Sequence, residues 1–237
     1  MAEALAAGRP ARLLLVARTA RPSPELRAIR RAAIAAGVPV DEVDRERLTP
    51  IAGFDGHQGV VLEVEPRRWS DLGEMLAAAQ VGGHDPLLLV LEHLQDPVNV
   101  GALLRTAEAA GVDGVLYPER GSAPLSGAAV KASAGASEHL RIAPLESLGA
   151  ALEELRTGGI RLVAADQDAP DLAWDADLRG PIAILVGSEG SGLSGATKRR
   201  CDLVVRFPMA GHVASLNAGA AGALLLFEVI RQRTTPG

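Results

Sequence analysis

Three stretches of this 237-residue sequence place polar or glycine-rich residues where a plain α/β core needs none. The first follows the apolar run Leu87–Leu91 and reads Glu92-His93-Leu94-Gln95-Asp96-Pro97-Val98-Asn99, continuing to Arg105. Asp96 suits a helix N-cap and Pro97 the first helical position, so Asn99 falls in the first turn. Arg105 lies six residues on, about 600° of rotation, hence roughly 240° around from Asn99. One ideal helix does not set the two side by side. A shared site needs an irregular helix or two subunits; the plainer reading is a capped helix with a solvated arginine.

The second stretch, Gly187-Ser188-Glu189-Gly190-Ser191-Gly192-Leu193-Ser194, follows Ile182–Val186. Glycines let a backbone come close to a ligand with its N–H groups free. The spacing is neither the dinucleotide GxGxxG nor a phosphate loop ending in GK[ST]. A carboxylate at Glu189 would repel phosphate and suit a sulfonium, an amine or a hydroxyl. The third stretch, Phe207-Pro208-Met209-Ala210-Gly211-His212-Val213-Ala214-Ser215-Leu216-Asn217, enters a helix for which Ser215 is the expected N-cap. The small residues Ala218–Ala223 behind it allow another backbone to pack very close, as in a tight dimer.

Other reactive side chains contribute less. His57, His84, His93, His139 and His212 show no metal-ligand spacing, and no metal site is expected. His57-Gln58-Gly59 precedes a strand and could touch a partner. Cys201 follows the basic run Lys198-Arg199-Arg200, which could lower its pKa, yet its reading is structural.

All three stretches need strands behind them. Residues 1–66 read as a small α/β unit: a helix over Ala2–Ala7, strands at Arg12–Ala17, Val38–Val43 and Gly59–Glu65, and a helix from Pro24 to Ala36. Residues 67–85 read as a linker carrying a helix over Asp71–Gln80. From Pro86 to residue 237, strands at Leu87–Leu91, Gly114–Tyr117, Arg141–Ala143, Ile160–Ala165, Ile182–Val186 and Leu203–Phe207 alternate with helices at Val98–Ala110, Leu125–Ala136 and Leu216–Gln232. That alternation predicts an α/β domain on a largely parallel sheet, which binds ligands beyond the carboxyl ends of its strands.

Charge adds a direction. The net charge is 24 − 29 = −5, unlike that of a general nucleic-acid binder. Residues 1–31 nevertheless hold seven arginines against Glu3 and Glu25. Residues 71–237 hold 13 basic and 20 acidic residues. Such asymmetry fits an N-terminal nucleic-acid-facing unit, with a solvated helix face as the plain alternative. One cysteine excludes a disulfide framework within the chain. No apolar run reaches the ~18–20 residues of a membrane span. With no signal-peptide pattern after Met1, a cytoplasmic protein without membrane contact is expected.

Taken in order, DPVNVGALLRTAEAAG, LVGSEGSGLS and FPMAGHVASLN resemble the three motifs of the SpoU/TrmH (SPOUT) family of RNA ribose 2′-O-methyltransferases, over about residues 86–233. EALAAGRPARLLLVA and HQGVVLEV look like the RNA substrate-binding domain of the branch that methylates a guanosine of 23S rRNA. In that branch a strand and a glycine-containing turn usually precede the first helix. Neither is seen here, so this domain is expected to be N-terminally incomplete. The resemblance implies a methyltransferase domain with a C-terminal trefoil knot, a homodimer, and S-adenosylmethionine bound in the knot.

By position, the resemblance assigns cofactor contacts to Gly187, Phe207 and Leu216, with Ser188, Gly192 and Met209 around them. Asn99, Arg105, Glu189, Ser215 and Asn217 become the functional polar residues. The N-terminal unit would grip RNA rather than DNA, with Arg9, Arg12, Arg18 and Arg21 as phosphate contacts. Three competing readings remain: the same chemistry on tRNA or another rRNA site, a nucleotide-dependent oxidoreductase, and a non-catalytic RNA-binding assembly factor. The missing GxGxxG counts against the second, and three intact motifs count against the third.

Overall fold

The computed structural model describes residues 1–118, 122, 125–188, 190–212 and 215–235. Helix α1 (Ala2–Ala6) leads into β1 (Ala11–Ala17), α2 (Pro24–Ala35), β2 (Val40–Val43), α3 (Leu48–Ala52) and β3 (Val60–Val64). Pro24 opens α2 as expected, and the Ser23 hydroxyl accepts the Leu26 N–H. The strands form a sheet in the order β2-β1-β3, β1 running parallel to β2 and antiparallel to β3. Alternation in β1 splits its core between two faces. Leu14 and Val16 pack with Ala33 and Val60, while Leu15 and Ala17 pack with Val43 and Leu48.

The rest of the chain runs α4 (Leu72–Gly82), β4 (Leu87–Leu91), α5 (Pro97–Ala109), β5 (Gly114–Pro118), α6 (Gly127–Ala132), β6 (Ile142–Leu145) and α7 (Leu148–Thr157). It continues through β7 (Arg161–Ala165), β8 (Asp171–Leu172), β9 (Ile182–Val186), α8 (Gly195–Lys198), β10 (Leu203–Arg206) and α9 (Ala218–Thr234). Among the described residues these strands build one sheet in the order β6-β5-β4-β9-β7-β10-β8, parallel at each junction. An α/β fold with a parallel sheet and a separate N-terminal unit is thus present. Every residue of β4 and β9 is buried, as a parallel strand covered on both faces requires. Leu87, Leu89 and Leu91 face α5 and α9 through Leu103, Leu225 and Val229. Leu88 and Val90 face α4 and α7 through Met75, Leu152 and Leu155. No helix among the described residues is long and apolar enough to cross a membrane.

The 67–85 segment carries the expected helix as α4, whose Met75 and Ala79 are fully buried, Met75 within the core under the seven-stranded sheet. Several expectations need correction. The helix expected over Leu125–Ala136 is only α6, followed by a 3-10 turn at Ala136–Glu138 that turns the chain through Gly135. Helix α7 was not expected at all. The final helix begins at Ala218, and its N-cap is Asn217, whose Oδ1 accepts the Gly219 and Ala220 N–H groups. Ser215 therefore is not the cap.

The two units are joined by an ion cluster. Glu138, almost fully buried, lies 3.0 Å from Arg9 and 3.1 Å from Arg67. Arg9 also donates to the Glu65 carbonyl, and Arg67 to the Ser137 carbonyl. Nearby, Lys131 of α6 donates to the Gly56 carbonyl, and His139 meets Glu3 at 3.0 Å.

Candidate active site

A cleft of about 310 Å³ opens at the carboxyl ends of β7, β9 and β10. Its volume falls at the lower end of the ~300–1,000 Å³ of small-molecule sites. Three segments distant in sequence meet there. The loop after β9 brings Gly187, Ser188 and Gly192, β10 ends at Phe207, and the approach to α9 brings Ser215 and Leu216. Five of the six residues assigned to the cofactor by resemblance thus line one cleft. Met209 does not, and stands half-buried beside it. Glu189 lies outside the described residues.

The loop after β9 closes on itself. Ser188 and Gly192 exchange backbone hydrogen bonds of 3.1 and 3.0 Å, and the Ser188 and Ser191 hydroxyls meet at 2.7 Å. A Cβ on Gly187 would stand 2.2 Å from the Gly192 carbonyl carbon, so only glycine fits. Glu92, the residue after β4, anchors this loop from beneath. Its carboxylate is buried and accepts the Thr197 hydroxyl at 2.9 Å and the Ser194 N–H at 3.2 Å. No motif marks Glu92; the available signal in the sequence was a carboxylate directly after a wholly apolar strand run.

The wall formed by α9 depends on small residues. A Cβ on Gly222 would come within 2.8 Å of Val186 and 2.9 Å of Leu103, so its absence lets α9 lie directly on β9 and α5. The opposite wall holds two charged groups that local sequence patterns do not single out. Asp166, just beyond β7, forms an ion pair with Lys198 at the end of α8, and both line the cleft. Burial works against the Asp166 charge. Lys198 and the Asp168 N–H, at 2.9 Å from Oδ1, outweigh it and hold the carboxyl below the usual range.

The polar residues of the first motif sit elsewhere. Asp96 caps α5, accepting the Val98 N–H at 2.9 Å, and Pro97 takes the first helical position. Helix α5 continues unbroken to Ala109, which removes the irregular-helix route to a site shared by Asn99 and Arg105. Arg105 is exposed, Asn99 is half-buried, and neither lines the cleft.

Cys201 is the reverse of a reactive thiol, since burial together with Asp202 and Glu92 pushes it up to about 11. Of the arginines assigned to RNA, Arg9 pairs with Glu138 and donates to the Glu65 carbonyl. Arg12 pairs with Glu65 and Arg18 with Asp44 at the surface. Arg21 is exposed and forms no ion pair with another described residue.

This combination of parallel sheet, glycine-closed loop and cleft has known counterparts. Residues 86–227 match the SpoU rRNA Methylase family, and residues 2–70 match the RNA 2′-O ribose methyltransferase substrate-binding family. The chain belongs to the SpoU methylase family. It is 40% identical over 205 residues to the 23S rRNA (guanosine-2′-O-)-methyltransferase RlmB of Ralstonia nicotianae, covering 86% of this chain and 81% of that one. It is 39% identical over 197 residues to an uncharacterized tRNA/rRNA methyltransferase of Synechocystis sp., covering 83% of this chain and about half (51%) of that protein. Its fold superimposes on the SpoU methyltransferase AviRb from Streptomyces viridochromogenes, solved in complex with AdoMet. The TM-score is 0.78 with 28% identity, covering 98% of this chain and 86% of that one.

Proposed function

We propose that the chain transfers a methyl group from S-adenosylmethionine to a ribose 2′-hydroxyl of RNA, with a guanosine of 23S rRNA as the target. The observation that carries this reading is the convergence of Gly187, Ser188, Gly192, Phe207, Ser215 and Leu216 on one cleft. The cleft suits the cofactor: one flank is apolar and small, and the other carries paired charges. The similarity to RlmB proteins supports the rRNA guanosine.

When bound, S-adenosylmethionine supplies a methyl carbon on a positively charged sulfur. Around it, the task of this chain is alignment and proton handling. Arg105 is a poor base, because a guanidinium stays protonated in proteins. Its role is to hold the neighbouring phosphate and to stabilise the developing alkoxide. Asn99 orients Arg105 or the ribose. Glu189, Ser215 and Asn217 complete a hydrogen-bonding network; with its Oδ1 capping α9, Asn217 serves the ligand through its Nδ2 donor.

The same reading includes a trefoil knot around the cleft and a homodimer in which Arg105 crosses to the partner's cleft. Exposed Val98 on α5 and exposed Leu224 and Phe227 on α9 support such a pairing surface. RNA phosphates would meet the N-terminal unit at Arg21 and at Arg12 and Arg18, whose exposed ion pairs are weak enough to exchange.

The test is methyl transfer from labelled S-adenosylmethionine to unmodified 23S rRNA, followed by nucleoside analysis. The expected product is 2′-O-methylguanosine. Transfer to tRNA alone would discard the rRNA assignment, and transfer to no RNA would discard the enzyme.

A further inference from the structure

Charge is distributed unevenly around the cleft. Its charged lining groups among the described residues are Asp166, Asp168, Lys198 and Arg206, all on the β7, β10 and α8 side. The α9 side contributes apolar or small groups such as Ala218, Ala221, Gly222 and Leu225. A ligand filling this space has an apolar end and a doubly charged end.

Resting on the reading of the cleft as an S-adenosylmethionine site, we propose that Lys198 and Asp166 select the amino-acid tail of the cofactor. Lys198 receives its carboxylate and Asp166 its ammonium. The pair is built for a ligand more than for the fold. Part-exposed ion pairs contribute little to stability, yet both members are held in place from outside the pair. Asp166 is fixed through the Asp168 N–H on Oδ1 and by its own N–H to the Val205 carbonyl at 2.8 Å. Lys198 ends a helix whose cap, Ser194, is tied with Thr197 to the buried Glu92. A zwitterion matches the pair charge for charge, and each group exchanges part of an internal contact for a charge-assisted one.

The test is calorimetric binding of three ligands to the full chain. S-adenosylmethionine and S-adenosylhomocysteine carry the tail, while 5′-methylthioadenosine keeps the adenosine and thioether without it. The wild type is expected to bind both tailed ligands at least about tenfold tighter than 5′-methylthioadenosine. Lys198→Met is expected to weaken the tailed ligands about tenfold and leave 5′-methylthioadenosine within about twofold, whereas Lys198→Arg keeps the preference. Equal weakening of all three ligands, or a wild type without preference, overturns the proposal and leaves the cofactor reading intact. Binding of none overturns both. Should Lys198→Met not fold, decarboxylated S-adenosylmethionine on the wild type reads the same contact, and affinity equal to that of the intact cofactor overturns it.

Discussion

Thr197 and Glu92 are 105 residues apart in sequence, yet the threonine hydroxyl donates a 2.9 Å hydrogen bond to the glutamate's buried carboxylate. This bond and its neighbour from Ser194 tie the residue after β4 to the start of α8, and so anchor the loop that follows β9. Glu92→Ala leaves both donors without their acceptor. It is expected to cost about 2–4 kcal/mol in urea unfolding and to weaken S-adenosylmethionine binding. Unchanged stability would show that the anchor is dispensable.

Gly187→Ala tests the loop directly. The added methyl meets backbone at Gly192 and Leu193, not a flexible side-chain end. Overpacking of this kind costs about 1–3 kcal/mol, and opening the loop to relieve it removes the cleft wall. The expected result is a folded protein with S-adenosylmethionine binding lost in a titration.

Arg105→Ala should abolish methyl transfer while leaving cofactor affinity unchanged, because Arg105 is exposed and outside the cleft. If the residue acts across a two-fold dimer, mixing this variant with Gly187→Ala rebuilds one working site per mixed dimer. Random exchange of subunits would then restore about a quarter of wild-type activity. No recovery after verified exchange would place Arg105 in its own subunit's site.

Cys201 contributes to the pH dependence at the alkaline end. Burial keeps its thiol protonated in the folded state up to about 11, while the unfolded chain releases that proton near the ordinary thiol value. The unfolded state therefore binds fewer protons between these values, and stability falls as pH rises through that window. Below it the contribution is fully present. Comparing urea midpoints at pH 8 and pH 10 should show a decline that Cys201→Ala flattens. Iodoacetamide at pH 8 should label the native thiol far more slowly than the urea-unfolded one.

Legibility followed locality. Strands β4 and β9 stand where Leu87–Leu91 and Ile182–Val186 predict them, since a short aliphatic run bounded by proline on one side and by Glu92 or Gly187 on the other has one comfortable home in a covered sheet. Helix α7 is legible too: Leu148, Ala151, Leu152 and Leu155 repeat at helical spacing behind Ser147, although the expectation omitted it. The N-cap of α9 fell between Ser215 and Asn217, two residues of nearly equal capping ability, and only packing decides between them. The Asp166–Lys198 pair and the Glu138 cluster were not legible. Each joins residues from separate elements whose juxtaposition depends on sheet order.

The Glu138 cluster also fixes a length. One buried carboxylate is held both by Arg9 of the N-terminal unit and by Arg67 at its exit, so the first unit is tied to the turn after α6. Breaking a buried pair of this kind costs about 3–5 kcal/mol, far above thermal agitation. Such a frame works as a caliper. If the N-terminal unit grips RNA as proposed, such a frame would admit an RNA in which the gripped backbone and the modified ribose lie one set span apart in space, and target choice would rest on the three-dimensional shape of the RNA as much as on its bases.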